Sequence, residues 1–395
     1  MRWDSLRLDA APDQAAGPSA PDPADDVAGQ AAGPRAGDGA PRPRLGRAAA
    51  APALFERDAV ARTFDTPGFR GMTFYEVHAR SIINQVPASS RMPFRWTINP
   101  YRGCGHGCVY CFARNTHTYL DLDAGHDFDS KIVVKVNAPQ LARRELAASR
   151  WPGEHVAMGT NVDCYQRAEG RYQLMPGIIG ALRDARNPFS ILTKGTLILR
   201  DLDLIADAAE VTDVGLNVSV GFVDKELSRL AEPGTPSPAR RLGVCAALTD
   251  RGLRCGVLMG PILPFLSDSP AQLAAAVRDA AAAGATSVTP IVLHLRPGAR
   301  EWFQRWLGEH HPALVPAYHE LYGSRAYADR GYQQRISAEV ADLARRYRVG
   351  SRSPASARSV GRGNRAGPGR GIGMAEPGGT PELAAQPADV QLTLL

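Results

Sequence analysis

Lysine is almost missing from this 395-residue chain. Only Lys131, Lys135, Lys194 and Lys225 stand among its 46 basic residues. The other positive charges are arginines in a background rich in alanine, glycine and proline. The formal net charge of +6 therefore reads first as compositional bias and second as a surface for anions. Long apolar runs are missing too. None approaches the roughly 18 residues of a membrane span. The N-terminus has no charged start followed by a hydrophobic stretch, which predicts a cytoplasmic protein without a membrane partner. Aromatic residues are missing after Trp3 in residues 1–51, a stretch dominated by Ala, Pro, Gly and Asp. Such a segment cannot offset the entropy of ordering, and a disordered tail is expected there. Acidic residues are missing from residues 351–370, which hold five arginines. Residues 351–395 are expected to form a second, basic and disordered tail.

What remains is a globular middle, and the hydrophobic content of 44% is enough for a substantial core. Short apolar runs at 94–99, 155–159, 189–193, 214–220, 254–259 and 287–295 read as strands. Stretches with helical spacing follow them at 174–186, 201–210, from 224, at 237–251, 271–283 and 300–307. Further runs predict a strand at 131–136 and a helix at 138–149. Apolar strands alternating with helices indicate parallel βαβ units. Six of them, with right-handed crossovers, predict an α/β fold, a partial (β/α)6 TIM-like barrel over residues 94–310. Residues 52–93 are expected to pack on that core, and 311–350 to form a helical extension. In barrels of this kind the chemistry sits at the C-terminal ends of the strands.

The first barrel strand runs directly into Asn99-Pro100-Tyr101-Arg102-Gly103-Cys104-Gly105-His106-Gly107-Cys108-Val109-Tyr110-Cys111. Three of the six cysteines sit here as C-x3-C-x2-C, and in a cytosolic chain they read as metal ligands rather than disulfides. Clustered thiolates suit zinc or an iron–sulfur cluster. A [4Fe–4S] cluster held by three cysteines leaves one iron open to a substrate or cofactor. Zinc would want a fourth ligand, and His106 lies too close in the chain to complete a tetrahedron easily. With Tyr110 just before the third cysteine, the motif resembles the signature of the radical S-adenosylmethionine (radical SAM) enzymes. In that family the open iron chelates the methionine amino and carboxylate groups, and reductive cleavage releases a 5'-deoxyadenosyl radical. The resemblance implies that Cys104, Cys108 and Cys111 hold the cluster, that Tyr110 lies near the adenine, and that an electron donor such as flavodoxin or ferredoxin is a partner.

The other strand ends supply the rest of such a site. After the second strand comes Gly159-Thr160-Asn161-Val162-Asp163-Cys164-Tyr165-Gln166. Many radical SAM enzymes carry a Gly-Gly-Glu there, and this chain does not. Thr160, Asn161 and Asp163 offer oxygens for an ammonium group instead, an ordinary polar turn being the competing reading. Lys194, at the end of the third strand, can pair with a carboxylate. Ser219, on the fourth, can hydrogen-bond a ribose or be satisfied by backbone. Glu232 with Arg240-Arg241 reads as a structural ion pair, and Cys245 and Cys255 as core.

The blocks NPYRGC, GTNVDCYQ, ILTKGTLILRD, SVG, EPGTPSPARRL and VLMGPILP, in this order over about residues 95–310, are similar to the spore photoproduct lyase-like subgroup. The lyase of that subgroup repairs a thymine dimer in DNA and returns a hydrogen atom through a cysteine near the second strand's end. Here Thr160 stands near that place and Cys164 four residues later, so Cys164 is either a hydrogen donor or a plain buried thiol. The resemblance implies a DNA or other nucleic-acid substrate. The last residues, Gln391, Leu392, Thr393, Leu394 and Leu395, are similar to the peptide by which repair proteins hold the bacterial sliding clamp. A zinc-stabilised adaptor that binds DNA and clamp without chemistry is the main alternative, and a radical enzyme acting on a protein or small molecule the other. Against the latter, no second C-x2-C cluster is present for an auxiliary iron–sulfur domain.

Overall fold

The computed structural model describes residues 59–352 apart from 88, 89, 91 and 93. The expected tail at 1–51 and all but the first two residues of that at 351–395, and with them Gln391, Leu392, Leu394 and Leu395, lie outside the described residues, while Ser351 forms part of a short strand. The strands are β1 (Val60–Thr63), β2 (Thr73–Val77), β3 (Ile83–Gln85), β4 (Trp96–Ile98), β5 (Tyr101–Arg102), β6 (Lys131–Lys135), β7 (Val156–Met158), β8 (Phe189–Thr193), β9 (Val214–Ser219), β10 (Cys255–Ile262), β11 (Ser287–Val292) and β12 (Gly350–Ser351).

The six runs read as barrel strands are β4, β7, β8, β9, β10 and β11, in that spatial order and all parallel. Their apolar character follows from burial on both faces, and every residue of β7 is buried. Antiparallel β3 borders β4 at one edge, and parallel β12 borders β11 at the other. The two edges do not pair, so the sheet is a partial barrel. Side-chain caps start several of the covering helices. Asp224 accepts from the Leu227 N–H ahead of helix Lys225–Ala231, and Ser237, followed by Pro238, accepts from the Arg240 N–H ahead of helix Pro238–Asp250.

The strand expected at 131–136 forms as β6, but in a second sheet of order β1-β2-β6-β5. Its partner β2 comes from the apolar stretch before the barrel, and Tyr75 and Val133 share a small core with Leu120 and Leu122. A 3-10 helix, Phe112–Leu120, follows the cysteine loop; its mixed polar sequence carries no clear period. Among the described residues no helix is long and apolar enough to cross a membrane.

Register sets what stands beside what. Ile98 pairs with Met158, Met158 with Ile191, Thr193 with Val218, and Ser219 with Leu258. The C-terminal ends are therefore stepped, β8 running two residues past the end of β7 and β10 four past the end of β9, and the segments leaving them border one mouth. Beneath the mouth, Glu169 is completely buried. It accepts from Tyr101 Oη at 2.5 Å, from Arg200 Nη2 at 2.6 Å, and from the Leu174 and Met175 N–H groups that open helix Leu174–Asp184. Tyr165 Oη and Arg200 meet at Asp201. Glu169→Ala would leave the buried Tyr101 hydroxyl and two backbone donors without an acceptor and Arg200 with Asp201 as its remaining carboxylate. We expect a loss of about 3 kcal/mol, read as a lower urea midpoint. An unchanged midpoint would show that the network contributes nothing.

Candidate active site

The cysteine loop leaves β4 through β5 and folds back over the strand ends. Cys104 and Cys108 are buried, Cys111 is half-buried, and none is in a disulfide. Gly103 turns the chain at φ 80°, where an added Cβ would lie 2.9 Å from both His117 Cε1 and the Lys131 carbonyl. Gln166, fully buried, brackets Cys104: its Nε2 donates to the Gly103 carbonyl at 2.9 Å and its Oε1 accepts from the Gly105 N–H at 3.0 Å. Buried Arg114 fastens the other end. It donates to the Cys108 carbonyl, to the Gly125 carbonyl at 2.8 Å, and to both Asp129 oxygens at 2.9 Å.

A third fastening comes from far along the chain. The Val109 N–H donates to the Ala231 carbonyl at 3.0 Å, and the Gly234 N–H to the His106 carbonyl at 2.9 Å. A Cβ on Gly234 would lie 2.2 Å from the Gly105 carbonyl oxygen, so glycine is needed for this approach. Glu232, between these contacts, accepts from Tyr110 Oη and pairs with Arg241. The pair is the structural one read from the sequence, with Arg241 rather than Arg240 as the cation. Burial would raise the Glu232 carboxyl, but Arg241 and then Lys194 outweigh it and hold it below its usual 4.5.

Lys194 does come to the mouth. Its Nζ donates to Ser219 Oγ at 2.8 Å, lies 3.9 Å from Glu232 Oε1, and sits 5.8 Å from the centre of the Tyr110 ring. Ser219 Oγ donates to the Gly260 carbonyl. Asp163 accepts from the Lys194 N–H at 2.6 Å, from Thr193 Oγ1 at 2.7 Å and from the Tyr165 N–H at 2.9 Å. It is thus a brace that ties the end of β7 to that of β8, with little acceptor capacity left for a ligand. His106 Nδ1 lies 3.5 Å from Asp163 Oδ2, and burial lowers this imidazole to about 4, so it is neutral. Thr160 and Asn161 are half-buried in the turn after β7. The Tyr110 hydroxyl is engaged by Glu232, which leaves its ring as the part available to an adenine.

Of the two readings of Cys164, its surroundings favour the plain buried thiol over the hydrogen donor: it is 1% exposed, and burial, then Asp163 and Glu169, pushes its thiol well above 9.0. Gln166, Arg114 and Gly234 were not singled out from the sequence. Each acts through backbone contacts distant in the chain, which leave no local pattern.

The donor set fits an iron–sulfur cluster: three unpaired thiols in one loop, with Lys194 and Arg241 close enough to lower Cys108 and Arg114 close enough to lower Cys111. A single zinc fits poorly. Among the described residues no three or more His, Cys, Asp or Glu side chains gather as one ion requires. At the rim, Phe112 and Tyr327 are 44% and 43% exposed. Arg296, just past β11, sits 5.8 Å from the Phe112 ring centre and bonds Tyr327 Oη at 3.3 Å, and His294 packs on Tyr327 at 4.5 Å. No carboxylate among the described residues pairs with Arg296.

Comparisons with known proteins bear on the family and the fold. A family model described as the radical SAM superfamily matches residues 98–277. An uncharacterised protein of Mycobacterium tuberculosis is 49% identical over 301 residues, covering 76% of this chain and 88% of that one. Another from Methanocaldococcus jannaschii is 30% identical over 174 residues, 44% of this chain and 62% of that one. Spore photoproduct lyase complexed with dinucleoside spore photoproduct has a similar fold, with a TM-score of 0.54 at 15% identity over 71% of this chain and 81% of the lyase. A variant of that lyase with bound AdoMet and the same dinucleoside matches with a TM-score of 0.54 at 14% identity, over 70% of this chain and 80% of the lyase.

Without metal, burial raises Cys108 from 9.0 to about 12 and pushes Cys104 well above its usual value. An unfolded thiol loses its proton first, so metal-free protein should lose stability as pH climbs from 9.0 toward about 12. Urea unfolding of metal-free wild type and Cys108→Ser across this window tests it. Serine should flatten the slope, and identical slopes would refute the assignment.

Proposed function

This chain belongs to the radical SAM superfamily, whose members use a [4Fe–4S] cluster and S-adenosylmethionine, and from that premise we propose that it is a nucleic-acid-modifying or DNA-repair enzyme of that family. The observation that carries the reading is the set of three unpaired cysteines folded over the strand ends beside Lys194. Cys104, Cys108 and Cys111 would hold the cluster. When bound, the cluster supplies the electron that cleaves S-adenosylmethionine to a 5'-deoxyadenosyl radical.

The protein's own work is binding and shielding. The Lys194 ammonium is the cation for the methionine carboxylate, steadied by Ser219 and aimed by Asp163, which grips the Lys194 backbone. Thr160 and Asn161, after β7, are the oxygens for the methionine ammonium. The Tyr110 ring, anchored through its hydroxyl, offers a face to the adenine. Buried walls around the loop keep water and stray hydrogen donors from a radical.

A nucleic-acid substrate is supported by the rim. Exposed aromatic rings hold an arginine that lacks an acidic partner among the described residues, a combination that stacks bases and attracts phosphates. The fold shared with a lyase complexed with a dinucleoside points the same way. A base would leave its stack to reach the strand ends. Lyase chemistry is part of this reading, as are an electron donor such as flavodoxin or ferredoxin and a cytoplasmic location. A clamp contact through Gln391, Leu392, Leu394 and Leu395 would bring the enzyme to DNA.

The first test is anaerobic reconstitution with iron and sulfide, then reduction and addition of S-adenosylmethionine. About four irons per chain and formation of 5'-deoxyadenosine are expected, and Cys108→Ala should lose both. One tightly held zinc and no deoxyadenosine would transfer the weight to the adaptor reading. For the substrate, a Phe112→Ala/Arg296→Ala double variant should bind a single-stranded oligonucleotide at least about tenfold more weakly, since base stacking alone is worth roughly 1–3 kcal/mol. Equal affinities would remove the rim from the substrate path.

A further inference from the structure

The cysteine loop is held by a buried ion pair that no part of the proposed chemistry uses. Glu232 has a side chain with no exposed surface and Arg241 one that is 1% exposed. Burying two opposite charges usually costs more than their attraction returns, and apolar replacements are often as stable. The pair's surroundings say what it does. One carboxylate oxygen takes Tyr110 Oη, from the cysteine loop, and lies 3.9 Å from Lys194 Nζ. The other takes Arg241, whose Nη1 donates to the Ser219 carbonyl at 2.8 Å. Arg241 Nε has no hydrogen-bond partner, so this guanidinium is not fully satisfied by its neighbours. Three positions expected to meet the cofactors, Tyr110, Lys194 and Ser219, thus converge on one carboxylate–guanidinium pair.

We propose that Glu232 and Arg241 are positioning residues whose buried charges set the reduction potential of the iron–sulfur centre held by Cys104, Cys108 and Cys111. The inference rests on the function proposed above. Both charges lie against the cysteine loop: Glu232 takes the hydroxyl of Tyr110, which stands between Cys108 and Cys111, and the Ala231 carbonyl next to it takes the Val109 N–H. An electron added to a centre held by that loop is added negative charge in the same low-dielectric place. Glu232 therefore opposes reduction, and Arg241 and Lys194 favour it. The pair keeps Lys194 close without letting two uncompensated cations pull the potential upward.

The test is an anaerobic redox titration of the reconstituted protein, followed by electron paramagnetic resonance of the reduced cluster. Glu232→Gln keeps the shape and an acceptor for Tyr110 but removes the negative charge, so the potential should shift upward. A double variant, E232Q with R241Q, removes one charge of each sign, and its potential should return toward that of wild type. A purely structural role predicts the opposite order, with the double variant displaced at least as far as the single one. No shift in E232Q, or no return in the double variant, overturns the proposal. Should E232Q fail to fold around its unpaired arginine, Arg241→Gln gives the mirrored reading: with one positive charge removed and Glu232 still held by Tyr110 and Lys194, the potential should shift downward. No shift, or an upward one, would then be the refuting result. Iron content separates the two readings: wild type that takes up no cluster refutes the proposed function itself.

Discussion

Parallel register is the constraint on which this molecule depends. Because Ile98, Met158 and Ile191 lie side by side, and Ser219 beside Leu258, the strands of the large sheet all leave at the same end of the barrel, at a stepped level. Whatever follows a strand is delivered to the same mouth, although its neighbours there are tens of residues away in sequence. Small and polar residues can occupy that level because the apolar layer below, with β7 and most of β8 buried, does not need them. The division is economical: the strands provide burial, and the turns after them provide chemistry.

The site is held by polar contacts more than by packing. Gln166 grips the backbone on both sides of Cys104, Arg114 grips the carbonyl of Cys108, and Asp163 grips the backbone of Lys194. Each is a buried side chain bonding to main chain. Such bonds fix a loop without regular structure more tightly than apolar contact would, since misplacing the loop leaves buried donors unpaired. The glycines at 103 and 234 complement them by letting main chain and side chain approach where a Cβ would collide. The charges are balanced as carefully as the shape. Arg241 and Lys194 face Glu232, and Arg114 faces Asp129.

How much of this was legible in the sequence divides along physical lines. The six barrel strands were, because short apolar runs between helices have few other homes. The cysteine loop and Lys194 were, because thiol spacing and a rare lysine after an apolar strand are local signals. The second sheet was not: β2 and β6 pair across more than fifty residues, and neither run says which sheet it joins. Asp163 was read as a ligand group because a carboxylate at a strand end is ambiguous until its neighbours are known, and here they are N–H groups and a hydroxyl. Cys164 stayed open between a hydrogen donor and a buried thiol because four residues of turn can point a side chain either way. Gln166 and Arg114 gave no signal, since a residue that serves a distant backbone leaves no period behind it.

The separation of 122 residues between Tyr110 and Glu232 has a consequence for how the protein is made. Translation proceeds at about 5–20 residues per second, so the cysteine loop leaves the ribosome roughly 6 to 24 s before the segment that clamps it exists. Throughout that interval the three thiols lack their buried carboxylate–guanidinium support, and for more than half of it the strands β8 and β9 as well. Metal delivered then would meet a loose peptide with free choice of ligands, while metal delivered later meets a shaped cradle. Order of synthesis thus makes maturation of the centre a late event, and makes the nascent chain, rather than the finished enzyme, the form most open to oxidation and to the wrong metal.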